Sequence, residues 1–331
     1  MAALSSSPSS LTSKLRKLDV GSGVVGVRFL GKVAAFALAE GDVVLVEEDE
    51  TRLSAHKGAI LSFAADARRL LTSGDDGRVV ATALDGTVEP LFEQKGRWID
   101  HVAAGPDSSF AFSVGKTAYF QPAKGERKSH DFPSTVGGLA FAPKGTRLAV
   151  AHYGGASLWF PNAQAKPDVL EWKGSHRGVL WHPEGRFVVT TMQESALHGW
   201  RLPDGAHMRM SGYPSRVRSM EFTAGGRFLA TSGSSEAILW PFASKEGPMG
   251  KQPTMLAPRD VRVSAVAAHP KDEVIAIGYD DGLAMLVRIS DGAEILLRTP
   301  SGSPVSALTW RSDGGAVAIG CEDGGAGLLV L

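Results

Sequence analysis

Three pairs of acidic residues, each followed by a glycine, are the first candidates for chemistry. They are Asp75–Asp76, Asp280–Asp281 and Glu322–Asp323. Neighbouring carboxylates could bind a divalent cation, which prefers oxygen ligands. The same residues also favour tight turns, because Asp accepts hydrogen bonds from nearby backbone amides and glycine tolerates a positive φ. No other oxygen ligands cluster near the three pairs in the sequence, so we interpret them as hairpin turns and predict no metal site.

Two glycine-rich stretches have the spacing of phosphate-binding motifs. GSGVVG (21–26) matches the dinucleotide fingerprint, and GVRFLGK (26–32) nearly completes a P-loop. A dinucleotide site needs a following helix, whose N-terminus holds the pyrophosphate. The residues that follow alternate as in strands instead, and Val33 stands where a P-loop has Ser or Thr. We therefore predict no nucleotide site and no cofactor.

Histidine and cysteine side chains also give no catalytic arrangement. His182 and His269 both precede a proline, a position typical of turns, and they lack the further ligands that a zinc site needs. The sequence has no G-x-S-x-G or H-E-x-x-H motif. Cys321 is interpreted as a small buried apolar residue. We expect that the protein is not an enzyme.

The composition restricts the class of protein further. Lys plus Arg and Asp plus Glu both number 35, which argues against nucleic acid as a partner. A single cysteine fits a reducing compartment. The Ser-rich N-terminus lacks the apolar core of a signal peptide, and no stretch is apolar enough to span a membrane. We predict a cytoplasmic protein with no membrane partner. One asparagine, Asn162, and abundant Ala, Gly, Arg and Val indicate a GC-rich bacterial source.

A unit of roughly 40 residues repeats eight times along the chain. Each unit begins with an alternating strand, and an aligned, usually bulky position near its end recurs every 34 to 46 residues. These positions, which number units one to eight, are Phe29, Phe63, Ala104, Phe141, Trp181, Phe222, Ala268 and Trp310. In unit four, VGGLAFAPKG (136–145) precedes TRLAVAHY (146–153), ASLWFPNA (156–163) and PDVLEWKG (167–174). Four short strands per unit at this spacing are typical of a β-propeller.

On these residues the chain resembles the WD40-repeat family over almost its whole length. The shared features are H-x-x-V-like strand entries, an S/T-G-x-x-D-G hairpin, and a tryptophan in the third strand. The resemblance implies blades locked by hydrogen bonds among a loop histidine, a Ser or Thr, a turn aspartate and a tryptophan. It assigns this structural role to His56, Thr72, Asp76, Asp281, Asp323, Trp159, Trp200 and Trp240. Unit two lacks the tryptophan, and units four to six replace the aspartate with Gly154, Glu194 and Ser235.

We predict one all-β domain in residues 14–331, a single β-propeller of four-stranded blades, with eight blades counted and seven as the alternative. The last unit shows three strands, while KLRKLDV (14–20) forms a strand with no unit of its own. We expect this N-terminal segment to complete the C-terminal blade, because closing the ring removes an exposed sheet edge. Residues 1–13 are expected to form a disordered tail.

In such a propeller, the loop entering strand one and the loop between strands two and three lie on one face, here called the top face. The entry loops of five units contain cations, among them Arg97 beside Trp98, Arg177, Arg216, Arg218, Arg259 and Arg262. Two interpretations are open. The arginines could pair with turn carboxylates of the same face, or they could bind a partner, because Arg and Trp dominate interface hot spots.

We therefore predict a non-catalytic protein–protein interaction scaffold of the WD40-repeat type. Its Arg-rich top face, made by the seven residues just named from Arg97 to Arg262, would bind a partner protein or an acidic peptide. The alternative is an enzyme or a small-molecule-binding propeller with its site at the mouth of the central channel. The longest insertion, 243–260, is either a functional loop or a mobile linker.

Overall fold

The computed structural model describes residues 9–331, and almost all regular structure there is β-strand. This part of the chain contains 31 strands and two three-residue 3-10 helices, Pro106–Ser108 and Ala224–Gly226. The strands form seven hydrogen-bonded sheets arranged in a ring, which confirms the predicted β-propeller. No helix within residues 9–331 is long and apolar enough to cross a membrane.

Two short strands precede the first unit, and units one to three then form one four-stranded sheet each. The N-terminal strands are β1 (Ser9–Ser10) and β2 (Arg16–Asp19). Unit one contains β3 (Val24–Leu30), β4 (Val33–Leu38), β5 (Asp42–Val46) and β6 (Glu50–Ser54). Unit two contains β7 (Ile60–Ala65), β8 (Arg69–Gly74), β9 (Arg78–Ala83) and β10 (Val88–Glu93). Unit three contains β11 (His101–Ala104), β12 (Phe110–Val114), β13 (Thr117–Gln121) and β14 (Lys128–Asp131).

The remaining units follow the same antiparallel order from the inner to the outer strand. Units four and five contain β15 (Gly138–Phe141), β16 (Leu148–Trp159), β17 (Asp168–Trp181), β18 (Phe187–Met192), β19 (Leu197–Arg201) and β20 (His207–Met210). Unit six contains β21 (Met220–Phe222), β22 (Phe228–Thr231), β23 (Ala237–Pro241) and β24 (Thr254–Leu256), so the insertion 243–260 supplies its outer strand. Unit seven contains β25 (Val263–Ala268), β26 (Val274–Tyr279), β27 (Ala284–Arg288) and β28 (Glu294–Arg298). Unit eight contains β29 (Val305–Trp310), β30 (Ala316–Cys321) and β31 (Gly325–Val330).

Units four and five share one six-stranded sheet, so the ring has seven sheets instead of the eight blades counted from the sequence, and the alternative count of seven is confirmed. In β16, residues 148–151 pair with β15, whereas residues 155–158 pair with β17. In β17, residues 168–171 pair back with β16, whereas residues 176–181 pair with β18. Each of the two units therefore keeps four strand segments. They join because β17 runs without interruption from the outer edge of unit four to the inner edge of unit five.

The N-terminal strand β2 completes the sheet of unit eight, as predicted for residues 14–20. It pairs antiparallel with β31, from Arg16 opposite Leu328 to Asp19 opposite Gly325. Leu18 is only 8% exposed and belongs to a hydrophobic cluster that spans units eight and one. The ring is thus closed by backbone hydrogen bonds and by apolar packing, and β31 does not present a free edge.

The predicted tail, residues 1–13, is described only in part, because residues 1–8 lie outside the described residues. Ser9–Ser10 form β1, which pairs parallel with β28 of unit seven. The Leu11 backbone N–H then donates to the carbonyl of Leu296 at 2.8 Å. This part of the tail extends the sheet of unit seven to five strands.

The inner strands of neighbouring units are linked by serine side chains as well as by apolar contacts. Four serine hydroxyls bond to backbone groups of the next inner strand: those of Ser62, Ser219, Ser264 and Ser306. The Ser306 hydroxyl donates to the Val24 carbonyl at 2.6 Å and so joins unit eight to unit one. These bonds satisfy buried polar groups between neighbouring inner strands.

Candidate functional site

The top-face hairpin of unit two is locked by a hydrogen-bonded triad. His56 Nδ1 lies 2.9 Å from Asp76 Oδ1, and His56 Nε2 lies 2.9 Å from Thr72 Oγ1. Burial alone would raise the pKa of Asp76, but hydrogen bonds from His56 and from the Lys57 and Arg78 amides outweigh it and lower the pKa below its ordinary value. The structure therefore brings His56, Thr72 and Asp76 together as one structural unit.

Units five and six contain related links with different residues. In unit six, the Trp240 indole N–H donates to the Tyr213 hydroxyl at 2.6 Å, and that hydroxyl lies 2.7 Å from Thr231 Oγ1. Tyr213 thus takes the place of the loop histidine, which the sequence reading missed. In unit five, His176 Nδ1 lies 2.7 Å from Thr190 Oγ1, and the buried Trp200 packs 5.5 Å from the His176 ring.

The other residues assigned to blade locking act within their own hairpins or cores. Asp281 Oδ1 accepts a hydrogen bond from the Leu283 amide, and Asp323 Oδ1 accepts one from the Gly325 amide. Trp159 is buried and contacts the ring of Phe132. Among residues 9–331, no group of three or more His, Cys, Asp or Glu side chains is arranged to hold a metal ion. The second aspartate of each acidic pair thus shapes its turn by accepting a backbone hydrogen bond, as Asp76 also does from the Arg78 amide.

Three of the predicted top-face arginines meet in one cavity, which we call the arginine pocket. Its volume is about 120 Å³. It lies at the mouth of the channel, where the entry loops of units six, seven and eight converge. The pocket is lined by Arg216, Arg218, Ser219, Ser232, Arg262, Val263, Ser264, Asp280, Val305, Ser306 and Glu322.

The charges in the arginine pocket are only partly compensated. Arg262 forms an ion pair with Asp280, with Nη2 2.8 Å from Oδ2. Arg216 Nη1 donates to the neutral amide oxygen Oε1 of Gln193 at 3.0 Å. The Arg218 guanidinium has neither a hydrogen bond nor an ion pair with any described residue. Since Asp280 and Glu322 oppose three arginines, the lining has one surplus positive charge.

The remaining predicted top-face residues lie elsewhere on the ring. Arg259 pairs with Glu294 of strand β28, at 2.6 Å, rather than with a turn carboxylate. Arg97 lies over the unit-three hairpin beside Gly115, and neighbouring Trp98 is 63% exposed. Arg177 is exposed near His101 of unit three, where burial and, more weakly, the Arg177 charge lower the pKa of His101. The predicted set therefore does not form one continuous site.

A second top-face cavity, between units four and five, was not expected from the sequence. This aromatic pocket has a volume of about 410 Å³ and is lined by Tyr153, Trp172, Lys173, Gly174, Met192, Glu194 and Arg209. Its residues come from the hairpin of unit four, the β17 crossing, the hairpin of unit five and, for Arg209, the outer strand β20 of unit five. The available sequence signal was Gly154, which replaces the hairpin aspartate in unit four.

The channel itself contains two opposite charges that the sequence reading also missed. Arg28 and Glu221 occupy equivalent positions, directly before the aligned residues Phe29 and Phe222. Both residues are exposed to solvent, yet protein atoms closely surround their side chains, and this desolvation lowers the pKa of Arg28 and raises the pKa of Glu221. Arg28 also stacks over the Phe63 ring, 4.9 Å from its centroid.

The remaining histidine and cysteine candidates have structural surroundings. His182 Nε2 lies 3.1 Å from the Gly226 carbonyl, and His269 Nε2 lies 3.2 Å from the Gly314 carbonyl. Each histidine thus links the lower turn of one unit to that of the next. Cys321 is fully buried, and burial raises the pKa of its thiol to about 11. A thiol with a raised pKa is a poor nucleophile, because the reactive form is the thiolate.

Comparison with known proteins places the chain among distant relatives. No family model matches it. It is 25% identical over 336 aligned residues to telomerase protein component 1 of Rattus norvegicus, which covers 93% of this chain but only 12% of that protein. It is 22% identical over 295 residues to the periodic tryptophan protein 2 homolog of Schizosaccharomyces pombe, covering 78% of this chain and 34% of the relative. These relatives and the propeller fit the WD40 family.

A solved structure shows the same fold at lower sequence similarity. The crystal structure of the computationally designed Ika8 protein matches with a TM-score of 0.72 and 16% identity. The match covers 95% of this chain and 98% of the designed one. Similarity at this level of identity concerns the fold alone.

Proposed function

We propose that this protein is a non-catalytic protein–protein interaction scaffold whose arginine pocket binds an acidic segment of a partner. The observation that supports this most directly is Arg218, whose guanidinium meets no carboxylate among residues 9–331 although it lies at the channel mouth. Within residues 9–331, the guanidinium of the neighbouring Arg216 donates only to the neutral Gln193 side chain. Two guanidinium groups are thus available to form charge-assisted hydrogen bonds with incoming carboxylates.

The size of the pocket favours a side chain of a protein partner over a small molecule. Its volume of about 120 Å³ lies below the roughly 300–1,000 Å³ of ordinary small-molecule sites. A carboxylate head group fits such a space, and the serine hydroxyls of Ser219, Ser264 and Ser306 add polar groups beside the arginines. This argues against the alternative of a small-molecule or catalytic site at the channel mouth.

The fold and the relatives support protein interaction as the general role. Several statements remain predictions from the sequence: that the protein is not an enzyme, that it has no nucleic-acid partner, membrane partner or cofactor, and that it is cytoplasmic and of bacterial source. The partner is proposed only by its chemistry, an exposed segment rich in Asp or Glu.

Selection of peptides from a random display library tests this proposal. We expect the wild-type protein to enrich acidic peptides, and the Arg216→Gln, Arg218→Gln double variant to bind the enriched peptides at least tenfold more weakly. The matched control is Arg68→Gln with Lys14→Gln, which removes two exposed positive charges outside the pocket. Affinity should also fall with added salt, because charge–charge attraction is screened. Equal affinity of the pocket variant and the control would contradict the proposal.

A further inference from the structure

We propose that the aromatic pocket binds an aromatic side chain of the same acidic segment, so that the partner is recognised by an aromatic residue and a nearby carboxylate together. This inference rests on the proposed function of the arginine pocket. It specifies the chemistry of the partner, because it requires a second anchor of a different kind at a defined place on the top face.

The walls of the aromatic pocket are suited to a flat apolar group. Tyr153 is 59% exposed and forms one wall, while Met192 is only 4% exposed and lies deep in the cavity. The Trp172 ring is held in place because its face stacks on the buried His198 ring, with centroids 4.1 Å apart. Aromatic side chains gain from such surroundings through apolar burial and ring–ring contacts.

The glycine at position 174 helps to keep the pocket open. A Cβ at Gly174 would lie 2.5 Å from the Met192 methyl carbon, and Gly174 has a φ of +134°. Part of the volume of about 410 Å³ therefore depends on the missing side chain at Gly174.

The charges at the rim favour an acidic rather than a cationic ligand. Lys173 and Arg209 both line the pocket, against the single carboxylate of Glu194. A positively charged group between the aromatic rings would meet these two cations, whereas an aromatic ring flanked by carboxylates would be attracted to them. The rim thus has the same surplus of positive charge as the arginine pocket.

The two pockets are neighbours on the top face. Met192 and Glu194 line the aromatic pocket, and Gln193 between them accepts the hydrogen bond from Arg216 Nη1 at 3.0 Å. Arg216 in turn lines the arginine pocket. One extended segment of a partner, which advances about 3.3–3.6 Å per residue, can therefore reach both pockets with its anchors only a few residues apart.

The experiment uses the acidic peptides enriched by the wild-type full-length chain in the display selection. We expect these peptides to contain Phe, Tyr or Trp within a few residues of the acidic group. Replacing that aromatic residue with Ala should weaken binding at least tenfold, measured by fluorescence anisotropy. The variant Tyr153→Ala should bind the aromatic peptide at least tenfold more weakly than the wild type does. It should bind the Ala peptide with the same affinity as the wild type. Tyr153→Phe should bind both peptides with wild-type affinity.

The control variant is Phe160→Ala, which removes a 45% exposed aromatic side chain of the same unit outside the pocket, and it should leave both affinities unchanged. Acidic peptides could instead bind through Arg218 while removal of their aromatic residue, or of the Tyr153 side chain, changes the affinity less than twofold. In that case this inference is wrong and the proposed function stands. If no acidic peptide is enriched, both are wrong. Loss of binding in Phe160→Ala to the same extent as in Tyr153→Ala would also contradict the inference.

Discussion

The buried histidine beneath the aromatic pocket should make the stability of this protein sensitive to acid. His198 is fully buried, and its ring lies between Trp172 and Trp200, at centroid distances of 4.1 and 4.8 Å. Neither of its ring nitrogens has a hydrogen-bond partner among residues 9–331. Burial, together with the positive charge that His176, His207 and Arg209 can bear, lowers the pKa of His198 from 6.5 to about 3.

The sign and size of the effect follow from this difference in pKa. Below pH 6.5 the unfolded chain binds a proton at His198 that the folded chain does not bind until about pH 3, so the free energy of unfolding decreases as the pH falls. Each pH unit is worth about 1.4 kcal/mol, which gives a loss of about 2 kcal/mol at pH 5. This contribution is constant above pH 6.5, where both states are neutral.

The variant His198→Phe isolates this contribution, because it keeps a flat ring in the stack and removes the titrating group. We expect wild type to lose about 2 kcal/mol more than the variant between pH 7.5 and pH 5, measured by urea unfolding with circular dichroism. The difference in free energy of unfolding between the two pH values is taken within each protein, so any pH-independent packing cost of the Phe side chain cancels. The control His207→Gln, at an exposed position, should keep most of the wild-type pH dependence. Equal losses in wild type and His198→Phe would refute the reasoning.

Two further predictions concern the locked hairpin of unit two and the closing strand. Asp76→Ala should lower the free energy of unfolding by about 1–3 kcal/mol, because the buried His56 ring and two amides lose their acceptor. The Asp75 side chain has no hydrogen bond in the described part of the chain, so Asp75→Ala should change the free energy of unfolding by under about 0.5 kcal/mol in the same urea assay. The Asp76 contribution is present above its ordinary pKa and is lost as the pH falls through its lowered pKa. Leu18→Ala should lower the free energy of unfolding by about 2–5 kcal/mol, measured by thermal or urea unfolding, because it leaves a cavity where the ring closes. The substitution of its exposed neighbour, Lys17→Ala, should leave the free energy of unfolding nearly unchanged. Similar effects of the two substitutions would contradict the packing of β2.

The repeated architecture was predictable because its signals are local in the sequence. Alternating residues and Gly, Pro and Asp turns specify each short strand, and the leftover segment 14–20 indicated how the ring closes. The triad of His56, Thr72 and Asp76 was also recognisable, since one unit contains all three residues at the family spacing. In unit six the same link uses Tyr213, whose role has no local signal because tyrosine also serves as an ordinary core residue.

The number of separate sheets, and the carboxylate with which each arginine pairs, depend on contacts between units. Sequence spacing counted eight repeats, but it does not reveal that β17 passes unbroken from unit four to unit five. It likewise placed Arg216, Arg218, Arg259 and Arg262 in equivalent loops without distinguishing them. Arg259 forms an ion pair with Glu294, and Arg262 forms one with Asp280. Arg218 has no such partner among the described residues.

The sequence by itself therefore determined the strand pattern, the repeat and the closure, because backbone hydrogen bonding and alternation act over a few neighbouring residues. The tertiary structure decided which side chains share a cavity, as in the arginine pocket and the aromatic pocket beside it. The physical reason is that these cavities form between units, where the position of each side chain depends on how one sheet packs against the next.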